Sequence, residues 1–172
     1  QNLGNLAKGE LHVDTSLKAA DENTRLIGEN FEKINKALGN TVSAIQNLVS
    51  DAAMLSKAAV EGKLDTRADA SKHQGDYRKI VQGVNDTLDA VIGPLNVAAE
   101  YVDRISKGDI PARITDNYNG DFNEIKNNLN QCIDAVNALV SDAAMLSKAA
   151  VEGRLDTRAD ASKHHGDFQK IV

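Results

Sequence analysis

The chain has 172 residues, a formal net charge of −5, and 3% aromatic residues with no tryptophan. That composition excludes a core built on aromatic bulk and suits long helices or coiled coils. The acidic balance and the lack of a basic cluster leave nucleic-acid binding without its electrostatic footing.

In chain order, the first signal is a glycine that closes a helical stretch. It recurs in KGEL, EGKL, KGDI and EGRL, at Gly9, Gly62, Gly108 and Gly153. A second glycine opens the next stretch in IGENFEKI, QGDYRKI, NGDFNEI and HGDFQKI, at Gly28, Gly75, Gly120 and Gly166. Glycine at a helix C-terminus supplies the left-handed backbone that ends the helix. The acids Glu29, Asp76, Asp121 and Asp167 then stand where free N–H groups and the helix dipole favour negative charge. Asp121–Glu124 has the spacing of a capping box, with Asp in place of Ser or Thr.

These marks predict three long helices over 29–61, 76–107 and 121–152, with Gly93–Pro94 kinking the middle one or marking a junction. They also define a repeating unit of helix, connector and helix. Asp51–Asp76 returns almost letter for letter as Asp142–Asp167, and the passage between is a diverged copy. Four modules result: 1–46 with a truncated first helix and a long connector, 47–92, a divergent 93–138, and 139–172 truncated in its second helix.

Counting in sevens gives one apolar column per long helix. In the first it holds Phe31, Leu38, Ile45, Ala52 and Ala59, with Ile34, Leu48 and Leu55 alongside. The second holds Tyr77, Val84, Val91, Ala98 and Ile105, joined by Ile80. In the third, Phe122, Leu129, Val136, Ala143 and Ala150 are accompanied by Ile125, Cys132, Leu139 and Leu146. Thr41 and Thr87 interrupt the companion columns, and Val42 and Leu88 beside them take the apolar role. The divergent module offers Leu95, Ala98, Val102 and Ile105, a stripe moved partly around the helix.

One chain supplies only two helices per module, too few to cover such a stripe, so a homodimer with four helices per module is expected. Twelve residues separate Gly62 from Gly75, eleven separate Gly108 from Gly120, and twelve separate Gly153 from Gly166. At about 3.3 Å per residue such a connector can run back along a helix and start a parallel one. Leu64, Ile110, Ile114 and Leu155 are the residues expected to anchor it.

With these elements in place, the chain resembles a HAMP array, the poly-HAMP relay of bacterial chemoreceptors and sensor kinases. The likeness rests on the first helix ending in Gly, an apolar residue two positions on (Leu11, Leu64, Ile110, Leu155), a connector of about a dozen residues, Pro111 in one copy, and an acidic start to the second helix. The resemblance implies an all-α fold of stacked parallel four-helix coiled coils formed by a homodimer. It implies a cytoplasmic signal relay between sensor and output domains of a longer chain, whose parent is soluble or membrane-anchored. Two departures stand out: here the glycine precedes the acid at the second helix, and the first connector is longer than the others.

Other chemistry is not expected. Phosphate loops, nucleophile elbows and paired catalytic carboxylates are absent, so the chain reads as no enzyme, with no cofactor, metal, nucleic acid or small-molecule substrate. His12, His73, His164 and His165 read as exposed polar residues, and Cys132 as a small buried hydrophobe in the core column. The Asp65–Asp69 and Asp156–Asp160 stretches, each DTRAD, read as solvated connector with local charge pairing. A passive dimeric spacer is the alternative to a relay; the light core at Ala52, Ala59, Ala143, Ala150, Thr41 and Thr87 leans toward the relay.

Overall fold

The computed structural model of the chain describes residues 2–16 and 23–172. Among the described residues the regular elements are all helical. They are α1 (Asn2–Ala7), α2 (Arg25–Val60), α3 (Gly75–Ser106), α4 (Asp121–Val151) and α5 (Gly166–Ile171). Single 3₁₀ turns at Ala70–Lys72 and Ala161–Lys163 punctuate two of the connectors. No described helix is long and apolar enough to cross a membrane.

The chain divides into two compact units, Gln1–Ile92 and Gly93–Val172. The divide falls inside α3, between Ile92 and Gly93, one residue short of Pro94, and the helix continues through that proline.

The helix-closing glycines behave alike. Gly62 has φ of +72°, its N–H donates to the Ala59 carbonyl at 3.1 Å, and the Lys63 N–H reaches back to Ala58 at 2.9 Å. This is a Schellman cap, and it satisfies carbonyls that the helix end would otherwise orphan. The same two bonds recur around Gly9, Gly108 and Gly153.

Helix starts follow the expected pattern only in part. Gly75, Gly120 and Gly166 take positive φ, but Gly28 does not. α2 begins earlier, at Arg25, and Gly28 lies in its first turn with its N–H bonded to the Thr24 carbonyl at 2.9 Å. Asp121 is inside the first turn of α4 rather than at its N-cap, which is Gly120, and no side chain caps that end. Asp121 therefore acts through charge at the helix start, not through a capping box.

Each unit buries a small set of residues. Among the described residues of Gln1–Ile92 these are Val42, Ala58, Ala68, His73, Val81, Asn85 and Ile92. Val81, Asn85 and Ile92, with half-buried Leu88, fall at i, i+4, i+7 and i+11 on one face of α3. In Gly93–Val172 they are Pro111, Ile114, Asn130, Ile133, Ala149 and His164. In both, buried helix residues share the interior with buried connector residues, so it is the connector that closes each unit's interior.

Candidate functional site

The connectors carry the polar chemistry, and they carry it at fixed offsets from the closing glycine. Five residues on stand Arg67, Arg113 and Arg158. Arg67 Nη1 donates to the carbonyls of Leu64 and Thr66 at 2.8 and 2.7 Å, curling the chain around its own guanidinium. Its Nε and Nη2 both donate to Asp89 Oδ1, at 2.9 and 2.6 Å. Arg113 pairs with Asp134 at 3.1 Å in the divergent module, and Arg158 repeats the two carbonyl bonds. Within the DTRAD stretches only Asp69 and Asp160 make local ion pairs, with Lys72 and Lys163 at 3.9 Å, whereas Arg67 reaches Asp89 22 residues away and Arg158 bonds carbonyls.

One residue further, the connector backbone is clamped. Asn85 Nδ2 donates to the Ala68 carbonyl at 2.8 Å, and its Oδ1 accepts the Ala68 N–H at 3.1 Å. Asn130 holds Ile114 in the same way, at 3.0 and 2.7 Å. A side-chain amide matches both groups of an extended residue, so the backbone N–H and carbonyl of buried Ala68 and Ile114 are both paired. In the first module Gly39 occupies the heptad position of these asparagines, and Asn35, one turn earlier, gives a single bond to the Thr15 carbonyl at 3.1 Å.

Next, Asp69 and Asp160 open the 3₁₀ turns by accepting from the N–H and hydroxyl of Ser71 and Ser162. The serine hydroxyl first, then the backbone N–H, stabilises the carboxylate and lowers the pKa of each aspartate below its ordinary value. In the divergent module a different pair forms: the Arg104 guanidinium donates to Asp109 at 2.7 Å, lowering the Asp109 pKa and raising that of Arg104.

The connector ends on a histidine. His73 Nε2 lies 2.6 Å from Asp51 Oδ2, and His164 Nε2 lies 2.6 Å from Asp142 Oδ2. Each imidazole side chain is only 2% exposed. Both histidines were expected in solvent; the structure corrects this, because each returns to a carboxylate eleven residues before the closing glycine. His12 and His165 are exposed. Among the described residues no cluster of three or more His, Cys, Asp or Glu could hold a metal.

The predicted columns fall elsewhere. Phe31, Ile34, Ile80 and Val102 are 52 to 60% exposed in the single chain. Ala52, Ala59, Val84, Val91, Leu95, Ala143 and Ala150 are also exposed, while Leu38, Ile45, Leu48, Leu55, Tyr77, Leu88, Ala98, Ile105, Phe122, Ile125, Leu129, Val136, Leu139 and Leu146 are half-buried. Cys132 is exposed, contrary to its reading as buried; its neighbour Ile133 takes the interior place. Of the connector residues, Ile114 is buried, Ile110 half-buried, and Leu64 and Leu155 exposed.

Sequence reading missed the clamping asparagines and the carboxylate partners of the histidines. A signal for the latter was present. Asp and His recur 22 residues apart in both copies of the duplicated stretch, and in the divergent module both are replaced together, by Val97 and Tyr118.

A family comparison bears on this architecture. Residues 72–138 match the family described as HAMP domain, a stretch that takes in the end of one connector, α3, the next connector and the first half of α4. HAMP domains are non-catalytic signal-relay linkers of sensor proteins. The match covers less than half of the chain, and within 72–138 it supports a HAMP domain.

Proposed function

We propose that the whole chain is a HAMP array, a parallel homodimer whose four modules relay conformational change between sensor and output domains of a longer protein. The observation that carries this reading is the exposure of the heptad columns. In α2 and α3, residues that meet the connector are covered, whereas the apolar column residues Phe31, Ile34, Ile80, Val84, Val91, Leu95 and Val102 are left open; the large column residues of α4 are half-buried. A stripe of that length is costly to leave wet at about 25 cal/mol per Å² of apolar surface. A second copy of the same stripe covers it with knobs-into-holes packing.

The order of connector anchors supports parallel helices in the first and second modules. From Gly62 the connector returns along α2 until His73 meets Asp51, about two and a half helical turns before the end of α2. α3 starts there, and successive residues of α3 then meet the connector in reverse: Asn85 at Ala68, then Asp89 at Arg67. Running back along a connector that itself ran back gives the original direction. In the first module, Asn35 at Thr15 and Gln46 at Leu11 show the same order.

The relay follows from the repeat. The second helix of one module is the first helix of the next, so a change of packing in one biases its neighbour. A packed core is bistable rather than continuously deformable, and a switchable module needs its states within a few kcal/mol. Two measurements test the reading. Light scattering on the 18.4 kDa chain should give twice that mass, and a stable folded monomer would defeat the dimer. Ile105→Ala should move the divergent module toward its neighbours' packing; unchanged cysteine cross-linking in residues 139–172 would leave a passive spacer.

A further inference from the structure

The buried His–Asp pairs are absent from the HAMP reading above, and their distribution is uneven. His73–Asp51 and His164–Asp142 have identical partners and identical 2.6 Å separations. At the matching places of the divergent module, Tyr118 and Val97 line one small void with Pro94, Ile114 and Phe122. That void has room for about 10 Å³, at most one water. So the same junction, between the end of a connector and the first helix of its module, is closed by a polar pair in two modules and by apolar packing in the third.

These closures resist movement differently. A hydrogen bond between a ring nitrogen and a carboxylate is directional, and it weakens steeply once bent or stretched. Shifting the first helix by half a turn would strand an imidazole that is 2% exposed and a carboxylate that is about 23% exposed. Apolar contact has no such directionality, and a valine can slide against a tyrosine ring while both stay covered.

We propose that His73–Asp51 and His164–Asp142 are polar latches that hold the duplicated modules in one axial register. The Val97–Tyr118 junction leaves the divergent module as the compliant one. The latches themselves lie within single modules of one chain; the compliance of the divergent module rests on the relay reading.

The test uses the full chain with Cys132 replaced by serine. Asp51→Ala should raise amide exchange at Lys72 and His73, whose N–H groups bond Asp69 and Ala70, by roughly ten- to a hundredfold. His73→Gln, which keeps a donor near the imidazole Nε2, should stay within about threefold of the parent. Spin labels at Lys57 and Lys72, diluted with unlabelled chain, then read the register. The parent should give one narrow distance distribution, and the transplant Asp51→Val with His73→Tyr should broaden it. The reverse transplant, Val97→Asp with Tyr118→His, should narrow the distribution between labels at Asp103 and Asn117. Exchange unchanged by Asp51→Ala, no rescue by His73→Gln, or unaltered widths in both transplants would overturn the latch. Broadening at 57–72 with no change in packing across 93–138 would keep the latch and remove the relay. Light scattering on the same samples reports the dimer separately.

Discussion

Asn130 offers the sharpest check on the connector geometry. It is 5% exposed and makes two bonds to Ile114, whose residue is 7% exposed. Truncating it to alanine removes the acceptor for the Ile114 N–H and the donor for its carbonyl at once. Each buried group left unpaired costs about 1–3 kcal/mol, so Asn130→Ala, which orphans two, should lose about 2–6 kcal/mol in total. Asn85→Ala should cost about as much, since Ala68 is held by the same two bonds. Asn35→Ala removes one exposed bond to Thr15 and should cost under about 1 kcal/mol. Asn130→Leu is the control that separates packing from hydrogen bonding, because leucine refills the volume but pairs with neither group. Urea unfolding followed by circular dichroism, at one chain concentration throughout, measures all four. A leucine variant as stable as the parent, or an Asn35 variant as damaged as Asn130, would refute the clamp.

Two further outcomes are expected from local chemistry. Gly62→Ala places a Cβ at φ of +72° and should cost about 1–2 kcal/mol, whereas Gly83→Ala, inside α3 with open space around its Cα, should gain about 0.5–1 kcal/mol by urea unfolding. Asp69 and Asp160 should titrate below the ordinary carboxylate value in carboxyl-resolved NMR. Their contribution is therefore complete above about pH 3.9 and lost as pH falls through the lower folded value. Ser71→Ala should bring Asp69 back up and leave Asp160 unmoved.

The sequence made the helices legible because helix ends and heptads are local signals. The expected 76–107 and 121–152 differ from α3 and α4 by a residue at each end or less, since Schellman glycines and apolar spacing act within a few residues of each other. The start of α2 was misplaced because Gly28 resembles Gly75 and Gly120 in its neighbours but not in its backbone. The connector chemistry was less legible for another reason. His73 finds Asp51 across 22 residues and Asn85 finds Ala68 across 17, and such partners become neighbours only after the connector has folded back. A histidine in a polar loop looks solvated until that return places a carboxylate against it. The columns were legible as apolar stripes, but a stripe does not say whether its cover is the same chain or another.

That last ambiguity can be resolved by two isoleucines. Ile133 is 0% exposed within one chain, so Ile133→Ala should cost about 2–5 kcal/mol at any protein concentration, through lost transfer energy and the cavity left behind. Ile80 is 55% exposed in one chain. If it faced solvent, Ile80→Ala would change stability by no more than about 0.5 kcal/mol. If it is a column residue packed against a partner, the same substitution should cost about 2–4 kcal/mol. It should also make the unfolding midpoint depend more steeply on concentration in the dilute range, because the dimer then dissociates before it unfolds. Sedimentation equilibrium beside urea unfolding measures both quantities on the same samples. A harmless Ile80→Ala beside a damaging Ile133→Ala would mean that the open column has no partner, and the paired-chain bundle would have to be abandoned whatever the likeness within residues 72–138.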